Sequence, residues 1–131
     1  MLAVRLFQGE DVMSSLKEAF ISAKKNTGVL MSGAGMMKEV KLGYFMGKGR
    51  YKEHCLPEPR EIVSATGNFV FSEGEIFLHM HVSLADDDFK VLGGHLEKAE
   101  VHGTGEFFIY LSELEASRQM EEETGLKGLK L

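Results

Sequence analysis

A chain of 131 residues and 14.6 kDa falls within the size of one domain, so one core spanning residues 1–131 is the expectation, and two independent domains are excluded as a first reading. Apolar side chains make up 44% of the residues and charged ones 27%, and no apolar run approaches the length that crosses a bilayer, which points to a soluble protein with no membrane partner. Fifteen basic against twenty acidic side chains leave a net charge of −5, which argues against a surface built wholly to neutralise phosphates.

The opening MLAVRLFQGED lacks the basic, long apolar and small-residue order of a signal peptide. The one cysteine, Cys55, has no C-x-x-C partner and cannot form an internal disulfide, so a cytoplasmic location and a buried or half-buried, unreactive thiol are expected. Ala3 to Phe7 reads as a short strand that Gly9 ends. From Glu10 to Lys25, Val12, Met13, Leu16, Ala19, Phe20 and Ala23 recur at helical spacing, which predicts an amphipathic helix. Glu10 and Asp11 would charge its first turn, Lys24 and Lys25 its last, and Gly28 would supply a left-handed cap.

Beyond the helix come short apolar or alternating runs broken by glycine: VLMSGAG, KEVKLGYFMG, EIVSATGNFVF, EIFLHMHVSLA, FKVLGGHL and GEFFIYL. Twelve of the fifteen glycines lie between Gly28 and Gly105, where they suit turns and bulges, so this part is expected to be mostly sheet. Both prolines fall in one loop, CLPEPRE. GAGMM and GKGR lack the strand, glycine turn and helix order of a phosphate loop, and turns are the plainer reading. The tail from Glu113 begins with helix formers and ends in GLKGLKL. Its Leu126, Leu129 and Leu131 are expected to dock on the chain's own sheet or on a neighbouring subunit.

The stretch EIFLHMHVSLADDDFKVLGGHL carries the chemistry. In a strand, Ile76, Leu78, Met80, Val82 and Leu84 fall on one face, while Phe77, His79, His81 and Ser83 fall on the other. If ADDD turns the chain back antiparallel, His95 returns beside His79 and His81, and the two glycines before it allow a bulge or a close backbone approach. Three neutral imidazoles suit zinc or another divalent transition metal, with a fourth position left for water or ligand. The alternative is that all three are ordinary strand and turn histidines. His54 and His102 lack such partners and read as surface or hydrogen-bonding residues.

Taken in order, REIVSATGNFV, LHMHVSLAD, GGHL and the glutamate at Glu106 resemble the plant-and-prokaryote-conserved (PPC) domain, over nearly the whole chain. The resemblance implies an α/β (α+β) fold, a largely antiparallel sheet with an N-terminal helix packed on it, and assembly as a homotrimer. It also implies DNA association, because plant relatives carry the domain after AT-hook motifs. This chain has no Arg-Gly-Arg-Pro hook, and its basic cluster of Lys38, Lys41, Lys48, Arg50 and Lys52 is interleaved with Glu39 and Glu53, as in a solvated strand and loop.

Prokaryotic members are also similar to acetolactate decarboxylase, in which three histidines hold zinc. His79, His81 and His95 fall on those ligand positions. A decarboxylase of that type needs an acid and a cation. The candidates are Glu61 and Arg60, which as sequence neighbours in a strand would face opposite ways, with Glu106 as a further acid and a salt-bridge or strand-end role for Glu61 as the plainer alternative. Two functions follow from the resemblance: a zinc-binding PPC protein associated with DNA, or a zinc-dependent lyase acting on a small carbonyl or carboxylate substrate.

Overall fold

The computed structural model describes all 131 residues, Met1 to Leu131. Strand β1 (Leu2–Phe7) leads into helix α1 (Val12–Ser22), and five further strands follow: β2 (Thr27–Gly47), β3 (Arg50–Leu56), β4 (Arg60–Ser72), β5 (Glu75–Ala85) and β6 (Val91–Ser112). Asp11 starts the helix from an extended conformation, its carboxylate accepting from the Ser14 N–H at 2.8 Å, which satisfies one of the free amides of the first turn. Val12, Leu16 and Phe20, four residues apart, make the buried face.

The helix is shorter than its sequence pattern predicts, and its ends differ. Glu10 lies ahead of the helix, where its carboxylate accepts from the Phe7 N–H, and Lys24 and Lys25 lie beyond it. Lys24 itself takes the left-handed conformation at φ 53°, so Gly28 caps nothing. Gly28 instead belongs to β2 and makes room for Phe20, because a Cβ there would sit 2.4 Å from the Phe20 ring.

The six strands pair antiparallel in the order β1-β6-β5-β4-β2-β3, and β6 also pairs with β2, so the ladder runs from β2 through β4, β5 and β6 back to β2 and closes on itself. Two long strands make this closure feasible. VLMSGAG and KEVKLGYFMG form one strand, β2, whose pairing slips between Leu30 and Ser32 and between Gly35 and Met36. FKVLGGHL and GEFFIYL likewise merge into β6, which pairs with β5 at its start and with β1 near its end.

The alternation expected for β5 is present, with Ile76, Leu78, Met80, Val82 and Leu84 all buried. They join Phe69, Phe107, Ile109 and the helix in one core, where Phe20 stacks on Phe69 with ring centroids 4.7 Å apart and planes 15° apart.

No helix forms after Glu113. The tail makes a small hairpin, β7 (Ser117–Met120) with β8 (Lys127–Lys130), which docks on the chain's own sheet. The Thr27 hydroxyl donates to the Leu114 carbonyl at 2.6 Å, the Arg118 N–H to the Ser72 hydroxyl at 3.1 Å and the Gly49 N–H to the Thr124 carbonyl at 2.7 Å. No helix of the chain is long and apolar enough to cross a membrane.

Candidate metal centre

Residues 86 to 90 form the turn between β5 and β6. The Asp86 carboxylate accepts from the N–H groups of Asp88 at 3.0 Å and Lys90 at 2.9 Å, which sets a fixed register for the returning strand. That register places His81 opposite His95, and the same outward rung continues to Thr66 on β4 and Gly43 on β2. His79 lies one outward position along β5, opposite Asn68. The β5–β6 pairing is regular beside the glycines, with no bulge. Gly93 serves a close approach, since a Cβ there would lie 2.5 Å from the Val82 carbonyl oxygen.

One ligating nitrogen from each of His79, His81 and His95 falls within 4.8 Å of the others, and the Nε2 atoms of His79 and His81 are 3.1 Å apart. Three nitrogens bound tetrahedrally at about 2.1 Å would stand about 3.4 Å from one another, so this spacing needs little adjustment. Burial, together with the His81 and His95 rings and the Arg118 guanidinium, lowers the pKa of His79 to about 4. Burial and His81 also lower that of His95, against a smaller opposing pull from Glu97. Both rings are therefore neutral at pH 7, the state that ligation requires. The Nδ1 of His95 is buried without a hydrogen-bond partner, a costly arrangement for a polar atom. Three converging imidazoles, two of them held neutral and one carrying an orphaned nitrogen, fit a divalent transition ion.

Two clefts open beside the rings. One, of about 480 Å³, takes in His79, His95, Tyr51 and Asn68 and is walled by Arg118, Leu126, Lys127 and Leu129 of the tail hairpin. The other, of about 500 Å³, runs past His81 to Tyr44 and Phe45. Tyr51 borders both and packs on His95 with centroids 5.2 Å apart.

The remaining candidates lie elsewhere. Glu61 is exposed near the start of β4, opposite Ala85, and borders neither cleft. Arg60 turns instead to Asp86, 3.9 Å away. Glu106 faces Arg5 across the β1–β6 ladder and takes a hydrogen bond from Thr104 at 3.3 Å. His102 is half-buried opposite Met36, and His54 sits beside Tyr44 and Leu92. Cys55 is exposed, contrary to the sequence expectation, because β3 forms an outer edge of the sheet with only Leu56 buried. In the basic cluster, Lys38 pairs with Glu100 and Lys41 with Glu53 and Glu97, leaving Lys48, Arg50 and Lys52 without ion pairs. Arg118 was not a sequence candidate. Nothing near it in the chain marks it, and only docking of the tail brings it to the histidines.

The family model of the Plants and Prokaryotes Conserved (PCC) domain, the same family as the PPC domain, matches residues 1–113. Among solved structures, a metal-containing protein from Archaeoglobus fulgidus is 31% identical with a TM-score of 0.88, the match covering 99% of this chain and 92% of that one. A plant- and prokaryote-conserved protein from Pyrococcus horikoshii is 31% identical with a TM-score of 0.85 and the same coverage. A protein from Bacteroides thetaiotaomicron, provisionally described as DNA-binding, is 26% identical with a TM-score of 0.90, covering 98% of this chain and 90% of that one. No curated protein matches the chain significantly.

Proposed function

The chain belongs to the Plants and Prokaryotes Conserved domain family, and on that premise we propose that it is a cytoplasmic, single-domain, homotrimeric metal-binding protein that holds zinc through His79, His81 and His95. The observation that carries this reading is the convergence of three imidazole nitrogens within 4.8 Å, in a donor set with no carboxylate and with clefts on two sides. The Archaeoglobus relative, described as metal-containing, supports it. The trimer rests on the family resemblance and on an outward apolar face in which Val29, Phe108 and Tyr110 lie exposed side by side, a surface that calls for cover.

When bound, zinc would supply a Lewis acid toward an oxygen of a small carbonyl or carboxylate ligand. The chain's own part is to keep His79 and His95 neutral, to hold His81 and His95 in register, and to shape the clefts. A lyase of the acetolactate decarboxylase kind also needs an acid, and the position of Glu61 lends that role no support, so we place binding ahead of catalysis.

The test is elemental analysis and mass measurement on protein purified without a histidine tag. We expect close to one zinc per chain in a particle of three times 14.6 kDa. The His79→Ala, His81→Ala double variant should keep the fold and lose the metal. A wild-type protein that holds no divalent metal after dialysis against zinc overturns the reading.

A second reading, association with DNA, is favoured by the Bacteroides relative, provisionally described as DNA-binding. Within the basic cluster only Lys48, Arg50 and Lys52 are free for it, because Lys38 and Lys41 are already paired. Three phosphate contacts per chain would give a log–log salt slope of about −3 for each chain engaged. Titration of a labelled duplex at about 50 mM salt should show that slope, and a flat titration there removes the DNA reading.

A further inference from the structure

Arg118 enters the cleft beside His79 from the tail hairpin, beyond the residues that the family model matches. Its guanidinium donates to the Asn68 side-chain carbonyl at 2.5 Å and weakly to the Lys127 carbonyl at 3.4 Å, while its Nε is buried with no partner. It forms no ion pair with any carboxylate of the chain. Arg118 is half-buried; an arginine partly withdrawn from water without a counter-charge carries a desolvation cost, and its planar fork matches a carboxylate better than any neutral acceptor does.

The other charged groups at the cleft narrow the choice of anion. Lys127 is engaged by Glu73 at 2.8 Å, and Glu121 borders the same space, so in the metal-free cleft a dianion such as phosphate would meet one free cation and one repelling carboxylate. A single negative charge is better matched. The apolar wall of Phe77, Leu126 and Leu129 takes a short hydrocarbon body, and a volume of about 480 Å³ lies within the range of small-molecule sites.

We propose that Arg118 is the anion-recognition residue of this site and that the ligand is a small organic monocarboxylate, its carboxylate on the guanidinium and its neighbouring oxygen toward the histidines. Asn68 orients the guanidinium, so the tail hairpin is part of the binding site rather than an appendage. The contact with the histidines rests on the metal reading given above, whereas the contact with Arg118 does not.

The probe is 3-methyl-2-oxobutanoate, with its uncharged amide as control, titrated calorimetrically into metal-loaded and metal-free full-length protein. The acid should bind the wild type and the amide should bind at least about tenfold more weakly. Arg118→Gln should lose about tenfold or more in acid affinity while keeping its metal content and melting temperature, and Arg118→Lys should fall between the two. If Arg118→Gln proves unstable, Asn68→Ala tests the same geometry from the sheet side and should weaken the acid severalfold. Acid binding that depends on Arg118 in metal-free protein upholds the proposal even if the metal reading fails. Equal binding of acid and amide, unchanged affinity in Arg118→Gln, or no acid binding by the wild type up to about 10 mM overturns it.

Discussion

Replacing Phe20 by alanine is expected to remove about 3–5 kcal/mol of stability, much of what a domain of this size holds in total. The ring is fully buried, stacks on Phe69 at 4.7 Å and fills the space above Gly28, so it joins the helix to both β4 and β2. Truncation leaves a void bounded by backbone on the Gly28 side, which can collapse only if β2 moves. Urea unfolding of wild type and Phe20→Ala checks this, and a loss under about 1 kcal/mol would mean that the helix contributes little to the core. Metal content should change far less than stability, because the histidines lie on the outward face of β5 and β6, away from the core that Phe20 fills.

Gly67→Ala is expected to disturb both stability and metal binding. A Cβ at Gly67 would stand 2.2 Å from the carbonyl oxygen of His79 and 3.0 Å from the Cα of Met80, so backbone meets backbone and no rotamer relieves the clash. Strands β4 and β5 must separate where the histidine strand is held, at about 1–3 kcal/mol or more. Gly93 imposes the same closeness on the other side of β5, against the Val82 carbonyl oxygen. We therefore expect zinc occupancy of Gly67→Ala to drop well below that of wild type while the protein stays folded, as measured by metal analysis alongside far-ultraviolet circular dichroism. Full zinc content with unchanged stability would show that the site tolerates strand separation.

What the sequence revealed tracks how locally each feature is encoded. The histidine group was legible because it needs only the two-residue period of β5 and one short turn, both written in adjacent residues. The core face of β5 was legible for the same reason. Gly28 was misread as a cap, since glycine after a helix usually ends it, whereas here tertiary packing of Phe20 claims the position. Strand β3 was missed because RYKEHCL buries only Leu56 and shows no apolar alternation, as an edge strand need not. The long strands β2 and β6 looked like pairs of short ones because glycines and register slips interrupt the pattern without ending the strand. Arg118 was invisible for a different reason: its role depends on the docking of a polar hairpin whose β7 buries no residue fully.

The closed strand ladder also governs when this protein can fold during its own synthesis. Strand β1 pairs with residues 104–109, and β2 finds its partners on β6 as far on as Ser112, so neither early strand can complete its ladder until β6 has been made. At about 5–20 residues per second, the ribosome needs roughly 5 to 20 s to pass from β1 to residue 109. Throughout that interval the apolar face of the helix and both early strands wait without their final neighbours. Folding of this domain is therefore dominated by non-local contacts, and the nascent segment is at its most vulnerable to chaperone capture and proteolysis until the last of β6 emerges.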